Sequence, residues 1–546
     1  MHRIPESLLT GLNPAQREAV CHKDGPLLVL AGPGSGKTRV VTHRIAALLH
    51  QGVYPSQIVA LTFTNKAADE MKKRVEALAP GKRVWMGTFH KFCAYLLRRY
   101  IDAVGLQDNF SIYDTDESLA VLKSITKGKN LPNGVNPQKI QWAVSSAKNQ
   151  LILPEDYVGN YRSPLGKVVE EYYPLYQKEL KRANAVDFDD LLLHVAVLLK
   201  DNPEIRKILD NRFRYVLVDE YQDTNTVQYF IAKALCLDHR NLAVTGDPDQ
   251  SIYGWRGADI GNILNFEKDY TDAKIIRLEQ NYRSTPQILA VADALIKHNT
   301  RRKHKELYTD NPDGKPVRLT QCADQHEEAE SIAAEIAAEI KNSKRKPSEY
   351  AIFYRMNALS RNLEHALRQR LVPFQLIRGL EFYNRKEVKD VLAYLRLAYN
   401  PNDNVSLARI INEPPRGIGA TTLTKLNGGA VYRGISTLEI ARNISDFAGI
   451  AKRTKAAIGN FVKIIEKIDE ASAQELSIES LMSMAITESG YRQQYESDAG
   501  SEEDAQRLAN IDELLSVARE FDANFSGDDD ETLLGRSALE MFLEQT

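Results

Sequence analysis

Two short stretches of this 546-residue chain have the residue types and spacing to hold and hydrolyse a nucleoside triphosphate. The first is AGPGSGKT at 31–38, which fits GxxxxGK[ST] between an apolar run and an amphipathic one. Here Gly32, Gly34, Ser35 and Gly36 let the backbone curl so that its N–H groups face phosphate oxygens. The helix that follows adds a field favouring anions at its N-terminus. Lys37 is expected to reach the β and γ phosphates, and the Thr38 hydroxyl to ligate Mg²⁺. The second stretch is Asp219–Glu220, closing the apolar run YVLVDE (215–220). Acids at that place fall on the same sheet edge as the phosphate loop. Asp219 is expected to hold Mg²⁺, and Glu220 to orient and deprotonate the attacking water. The plain alternatives are a Gly-rich turn that binds nothing and a strand ending in solvated acids. Each loses weight because the two motifs occur together.

The elements that must position these residues follow from periodicity. LLVLA (27–31), IVALTF (58–63) and VWMGTF (84–89) read as buried strands. Helical patterns open at Lys37, at Asn65 and at about His90. This βαβα rhythm predicts a parallel sheet wrapped by helices. From about 105 to 185 the rhythm stops, and the stretch reads as an inserted helical subdomain. Strands return at 215–220 and at LAVTGD (242–247). A second α/β region is expected from near Ala273, with YAIFYR (350–355) as one of its strands. From about 385 onward helical patterns dominate, with a short acidic loop, SGDDDE, at 526–531.

The motifs between these elements suggest what the hydrolysis drives. The acids stand in DEYQD (219–223), GDPDQSIYGWRGA (246–258) follows the next strand, and LEQNYRS (278–284) comes after it. LNPAQREAV (12–20) precedes the first strand and TFTNKAA (62–68) ends the second. Together these strings resemble the UvrD/Rep/PcrA family of bacterial superfamily 1 helicases, in order and along essentially the whole chain. The resemblance implies an α/β fold of two RecA-like P-loop lobes, each with a helical insertion. The first lobe would be 1–104 with 187–277, and its insertion 105–186. The second lobe, incomplete here, would be 278–380, and its insertion 381–546. It also implies an ATP- and Mg²⁺-dependent 3′→5′ translocase that moves on single-stranded DNA and unwinds duplex.

Individual roles follow from the same match. Gln16 would select adenine, whose edge both donates to and accepts from an amide. Arg39 and Tyr282 would pack near the base. Gln250 would sense the γ-phosphate, and Arg283 would stabilise the charge of the transition state. Phe63, Tyr253 and Trp255 suit a track on which bases stack without regard to sequence. An alternative for Tyr253 and Trp255 is that they plug a loop against the sheet. Thr62, Asn65, Thr88, His90 and Arg256 belong to the same expected DNA contacts, while His90 also reads as a structural residue at a helix start. Gly417 and Gly419, in INEPPRGIGA (411–420), resemble a helix–hairpin–helix turn able to hold a duplex phosphate. A plain helix–turn–helix connection reads equally well there.

In one respect the chain departs from the family. Its TxHxxKGLE-type and RRLxYVAxTRA-type segments, the second carrying a γ-phosphate arginine, do not occur. The sequence reading therefore expects a chain cut short, with poor translocation, or a nucleotide-gated module that binds single strands without efficient hydrolysis. Composition bounds the rest. The chain is 43% hydrophobic and 26% charged, which allows real cores. Cys21, Cys93, Cys236 and Cys322 lie far apart with no CxxC pair, and so read as reduced thiols in a cytoplasmic protein. No apolar run suggests a membrane span. The net charge of −2 puts any nucleic-acid site in local grooves, not in the global field. The expected partners are single-stranded DNA, single/double-strand junctions, and repair or replication proteins.

Overall fold

The computed structural model describes residues 4–160, 162–342, 344–377, 382–496, 501–525 and 537–545. The expected acidic loop at 526–531 lies outside them. The described residues group into two compact units, 313–384 and the remainder.

The larger unit is built on a six-stranded, all-parallel sheet. Its strands are β1 (Leu27–Ala31), β2 (Ile58–Thr62), β3 (Trp85–Thr88), β6 (Tyr215–Val218), β7 (Leu242–Gly246) and β8 (Lys274–Leu278). They lie side by side as β3-β2-β6-β7-β1-β8. A parallel sheet is covered on both faces, so its strands are apolar throughout and alternate residues serve opposite cores. Leu28, Leu30, Val59, Leu61, Val216 and Val218 face helices Phe89–Arg99 and Phe188–Asp201. Leu27, Val29, Ile58, Ala60 and Leu217 face helices Pro14–Cys21, Lys37–His50 and Asn65–Leu78. Because every strand runs the same way, every strand end carrying a motif reaches one edge. Loops at that edge are where ligands bind in such sheets.

One strand divides the two sequence readings. The pattern opened a second α/β region near Ala273, whereas the family bounds kept residues to 277 in the first lobe; Lys274–Leu278 pairs with β1 along Leu27↔Lys274 to Ala31↔Leu278. It completes the first sheet. Its apolar pattern identifies a strand, but only the pairing assigns the sheet. As a result LEQNYRS begins where β8 ends, beside the phosphate loop.

The helical insertion is seated on β4 (Ser111–Tyr113) and β5 (Ala185–Asp187), a two-stranded parallel pair that joins its two ends. Helices Thr115–Thr126, Pro137–Asn149 and Pro164–Arg182 pack above it around Tyr173 and Tyr176. Helices from Lys386 onward dock on the base of this insertion. The Tyr113 hydroxyl donates to Asp403 at 2.7 Å, and the buried Asn400 amide donates to the Ala183 carbonyl at 3.0 Å.

The smaller unit packs helix Gln325–Lys341 on helix Ser360–Gln369 through Ala329, Ala333, Ile336, Ala366 and Leu367. The strand expected at 350–355 does not form, and Phe353 is 93% exposed. A strand exists only when paired, because its N–H and C=O groups need partners. Among the described residues 313–384 no second strand lies beside this segment.

Candidate functional site: a nucleotide pocket and an aromatic track on one sheet edge

The phosphate loop leaves β1 at Gly32, whose N–H donates to the Leu278 carbonyl at 3.2 Å. Gly34 and Gly36 both adopt left-handed conformations, with φ of 64° and 87°. At Gly34 a side chain is also excluded by space, since a Cβ would lie 2.7 Å from the Cβ of Arg283 and 2.8 Å from the Asn281 amide. Arg283 thus stands directly against the loop. Asn281, which the sequence reading passed over, fixes it there. Its amide donates to the Pro33 carbonyl at 2.6 Å, and its oxygen accepts the N–H groups of Arg283 (2.8 Å) and Ser284 (2.7 Å). The Tyr282 N–H donates to the Gly34 carbonyl at 2.9 Å.

Gln16 is buried beneath the loop. Its side-chain nitrogen donates to the Ser35 carbonyl at 2.9 Å, and its oxygen accepts the Asn13 N–H at 3.1 Å as half of a capping box. Both ends of the amide are engaged by the protein, so its visible work is to brace the phosphate loop. The exposed neighbours form a separate polar set. The Asn13 amide donates to the Tyr282 hydroxyl at 2.9 Å, and that hydroxyl donates to Gln280 at 2.6 Å. Arg39 is exposed at the start of helix Lys37–His50. Asn13 and Gln280 lie inside motifs quoted from the sequence, but their side-chain roles had no signal there.

Asp219 follows β6, its N–H donating to the Leu61 carbonyl at 2.9 Å. Burial pushes its carboxyl up to about 7, Glu220 adds to the rise, and Lys37 opposes it. The Thr38 hydroxyl donates to Asp219 at 3.4 Å. A buried carboxylate beside a hydroxyl, short of positive charge, is a hard-oxygen donor pair that fits Mg²⁺. This ion takes one or two carboxylates and completes its shell with phosphate oxygens and water. Among the described residues there is no cluster of three or more His, Cys, Asp or Glu that could hold a metal by itself.

Glu220 has a left-handed backbone, φ 52°, which turns its side chain away from the strand direction. A second residue missed in the sequence, Gln222, controls it. This buried amide donates to Glu220 Oε2 at 2.9 Å, while its oxygen accepts the Asp247 N–H at 2.9 Å. Asp247 in turn accepts the Gln250 amide at 2.7 Å. Glu220 and Gln250 are therefore bridged through two buried side chains.

The loop after β7 continues into aromatics. Phe63 and Tyr253 rings stand 4.7 Å apart, Tyr253 and Trp255 rings 6.5 Å apart, and the Arg256 guanidinium lies 4.7 Å over Trp255. Trp255 is 75% exposed, so it does not plug the loop against the sheet. His90 meets the exposed ring of Phe188 edge-on at 6.0 Å, an aromatic the sequence reading did not single out. Burial holds the His90 imidazole below its usual range, with Arg256 acting the same way and Asp189 opposing. Thr88 caps helix Phe89–Arg99 by accepting the Lys91 N–H at 3.3 Å. Asn65 is exposed at the start of its helix. Thr62 departs from expectation, being fully buried at the end of β2 with its hydroxyl facing the interior. It supports Phe63 and leaves the surface to it. Gly417, with φ 72°, and Gly419 shape the turn before helix Ala420–Arg433. Asn412 accepts the N–H groups of Arg416 and Ile418 there, at 2.8 and 3.0 Å. No described contact joins this turn to the track.

This geometry can be set beside known proteins. The model for the UvrD/REP helicase N-terminal domain matches residues 12–271, and that for the UvrD-like helicase C-terminal domain matches 276–546. The chain belongs to the UvrD/REP helicase family. Its relatives include the ATP-dependent DNA helicase PcrA of Bacillus subtilis strain 168, 45% identical over 526 residues, covering 96% of this chain and 71% of the relative. The protein of that name from Leuconostoc citreum is 41% identical over 545 residues, covering 98% and 72%. That from Staphylococcus aureus strain Mu50 is 42% identical over 522 residues, covering 95% and 71%. In this UvrD-type helicase, the first family model ends between β7 and β8. The strand that the sequence pattern had assigned to a second region is thus shared structurally with the first.

Proposed function

We propose that this helicase hydrolyses ATP to move 3′→5′ along single-stranded DNA and to open duplex at single/double-strand junctions, in DNA repair or replication in the cytoplasm. One observation carries the reading. The loop 246–258 holds the buried Asp247, bonded to Gln250, at one end and the half-buried Tyr253 with the exposed Trp255 and Arg256 at the other. A change in what Gln250 touches therefore reaches the track within a few residues.

In this reading the chain's own groups divide the work. Backbone N–H groups of the phosphate loop and Lys37 bind the phosphates, and Arg283 approaches them across Gly34. Glu220, aimed by Gln222, orients the attacking water and takes its proton. Thr38 and Asp219 would hold Mg²⁺, which when bound offsets negative charge on the β and γ phosphates. The adenine side is formed by Tyr282, Gln280, Asn13 and Arg39, with Gln16 bracing the loop beneath. Stacking on the aromatics gives affinity without base preference. Among the described residues no helix is long and apolar enough to cross a membrane.

The test is steady-state ATP hydrolysis with and without single-stranded DNA, beside Lys37→Ala. Stimulation by DNA in the wild type and its loss in Lys37→Ala are expected. Negligible hydrolysis with retained DNA binding favours a nucleotide-gated binding module instead. Movement along DNA labelled at either end reads the polarity.

A further inference from the structure

A lysine outside every motif considered so far enters the nucleotide site from behind. The strap 301–308, which follows helix Pro286–Ile296, passes close to the sheet edge and touches three motifs. The Leu307 side chain fills the space over Gly32, where a Cβ would lie 2.2 Å from it. The Tyr308 backbone exchanges hydrogen bonds with LEQNYRS, accepting from Asn281 at 2.7 Å and donating to Glu279 at 3.1 Å. Between them, Lys305 turns inward and is buried, its ammonium paired with Asp247 and, at 2.9 Å, with Asp249. Arg302 joins Asp249 at 3.1 Å.

Asp247 is the centre of this arrangement. It is wholly buried. Oδ1 accepts the Asp249 N–H at 3.0 Å and the Lys305 ammonium, while Oδ2 accepts the Gln250 amide at 2.7 Å. Its own N–H goes to Gln222, which holds Glu220. One carboxylate therefore aims Gln250 and connects to the general base, and Lys305 supplies the charge that lets it stay buried. A buried carboxylate stripped of its cation is an uncompensated charge, and the site must rearrange to hydrate it. That rearrangement would release Gln250.

We propose that Lys305 is a positioning residue for ATP hydrolysis, holding Asp247 so that Gln250 and Glu220 stay aimed at the γ-phosphate and its attacking water. The proposal rests on the ATPase reading above. The described ion pairs of Lys305 are with Asp247 and Asp249, on the loop that carries Gln250, so it should act on the γ-phosphate step and leave ADP binding alone.

The test compares wild type with Lys305→Met. Affinity is measured for a fluorescent ADP, alone and with fluoroaluminate, which mimics the phosphoryl group in flight. The expected result is unchanged ADP affinity with at least a tenfold loss of the fluoroaluminate preference, on the order seen when a transition-state contact is removed. In turnover, kcat should fall about 10²-fold, the usual cost of a misplaced catalytic group, with little change in KM for ATP. A wild-type preference retained in Lys305→Met, with kcat unchanged, overturns the proposal. Absence of any preference in the wild type overturns the parent reading instead. Should Lys305→Met fail to fold, Lys305→Arg and Lys305→Gln carry the test. Arginine, which keeps the charge, should preserve the preference and glutamine should lose it, and equal behaviour of the two overturns the inference.

Discussion

Trp255→Ala separates stacking on DNA from support of the fold. The indole is 75% exposed and its described contacts are Tyr253, at 6.5 Å between rings, and the Arg256 guanidinium at 4.7 Å. Removing so exposed a side chain should change folding stability by no more than about 0.5 kcal/mol. Stacking of one base on an aromatic is worth about 1–3 kcal/mol. Part of that platform includes Arg256, whose cation–π contact contributes roughly 0.5–1 kcal/mol at an exposed site. The stacking term alone predicts a rise in Kd for single-stranded DNA of roughly 5- to 150-fold, at 1.4 kcal/mol per tenfold. The assay is fluorescence anisotropy of a labelled oligothymidine at several salt concentrations, beside a thermal melt. The salt slope should stay as in the wild type, because no phosphate-binding charge is removed. A Kd within twofold of wild type would refute the track. A lowered melting temperature would instead show that the indole supports the loop.

Three further outcomes follow from particular contacts. Asn281→Ala removes the link between Pro33 and the Arg283 backbone, so hydrolysis should drop about 10²-fold by loss of aim, at a stability cost of about 2–3 kcal/mol for groups left unpaired. Steady-state kinetics and urea unfolding read the two effects separately. Lys148 is wholly buried in the helical insertion between Asp187 at 2.6 Å and Asp190 at 2.7 Å, so Lys148→Met should destabilise by about 3–5 kcal/mol, measured by urea unfolding at pH 7.5. His194 is held below its ordinary 6.5 by burial, against the pull of Asp190. The unfolded chain then takes up the proton first, so this residue's share of stability is intact above pH 6.5 and is lost as pH falls below it. The unfolding free energy of wild type relative to His194→Gln should decline between pH 7 and 5, and a flat difference would show that the imidazole is not strained by burial.

Much of the candidate nucleotide site was legible in the chain because the chemistry proposed for it is local. A phosphate loop needs glycines at fixed spacing next to a strand, and its metal and base need acids at a strand end. Such patterns survive as short strings, so Lys37, Thr38, Asp219 and Glu220 could be placed by number before any fold was known. The strands β1, β2, β3, β6 and β7 were likewise readable, because strands buried on both faces are uninterrupted apolar runs.

Pairing and orientation needed the tertiary structure. Lys274–Leu278 has the same pattern in either of two sheets, and only its ladder with β1 brings Asn281 and Arg283 onto the phosphate loop. YAIFYR has a strand's composition but, among the described residues, no strand beside it, and a strand's hydrogen bonds cannot be made alone. Thr62 and Phe63 are neighbours in one motif, yet the pleat sends one into the core and the other to the track. Lys305 is one of 71 lysines and arginines, and nothing in its neighbours marks it. Its meeting with Asp247, 58 residues away, is a property of the folded chain alone. The sequence determined which groups could do the chemistry, since bonding capacity belongs to residue type. The tertiary structure decided which of them are aimed, buried and charge-compensated, since those depend on distances between parts of the chain that no local pattern records.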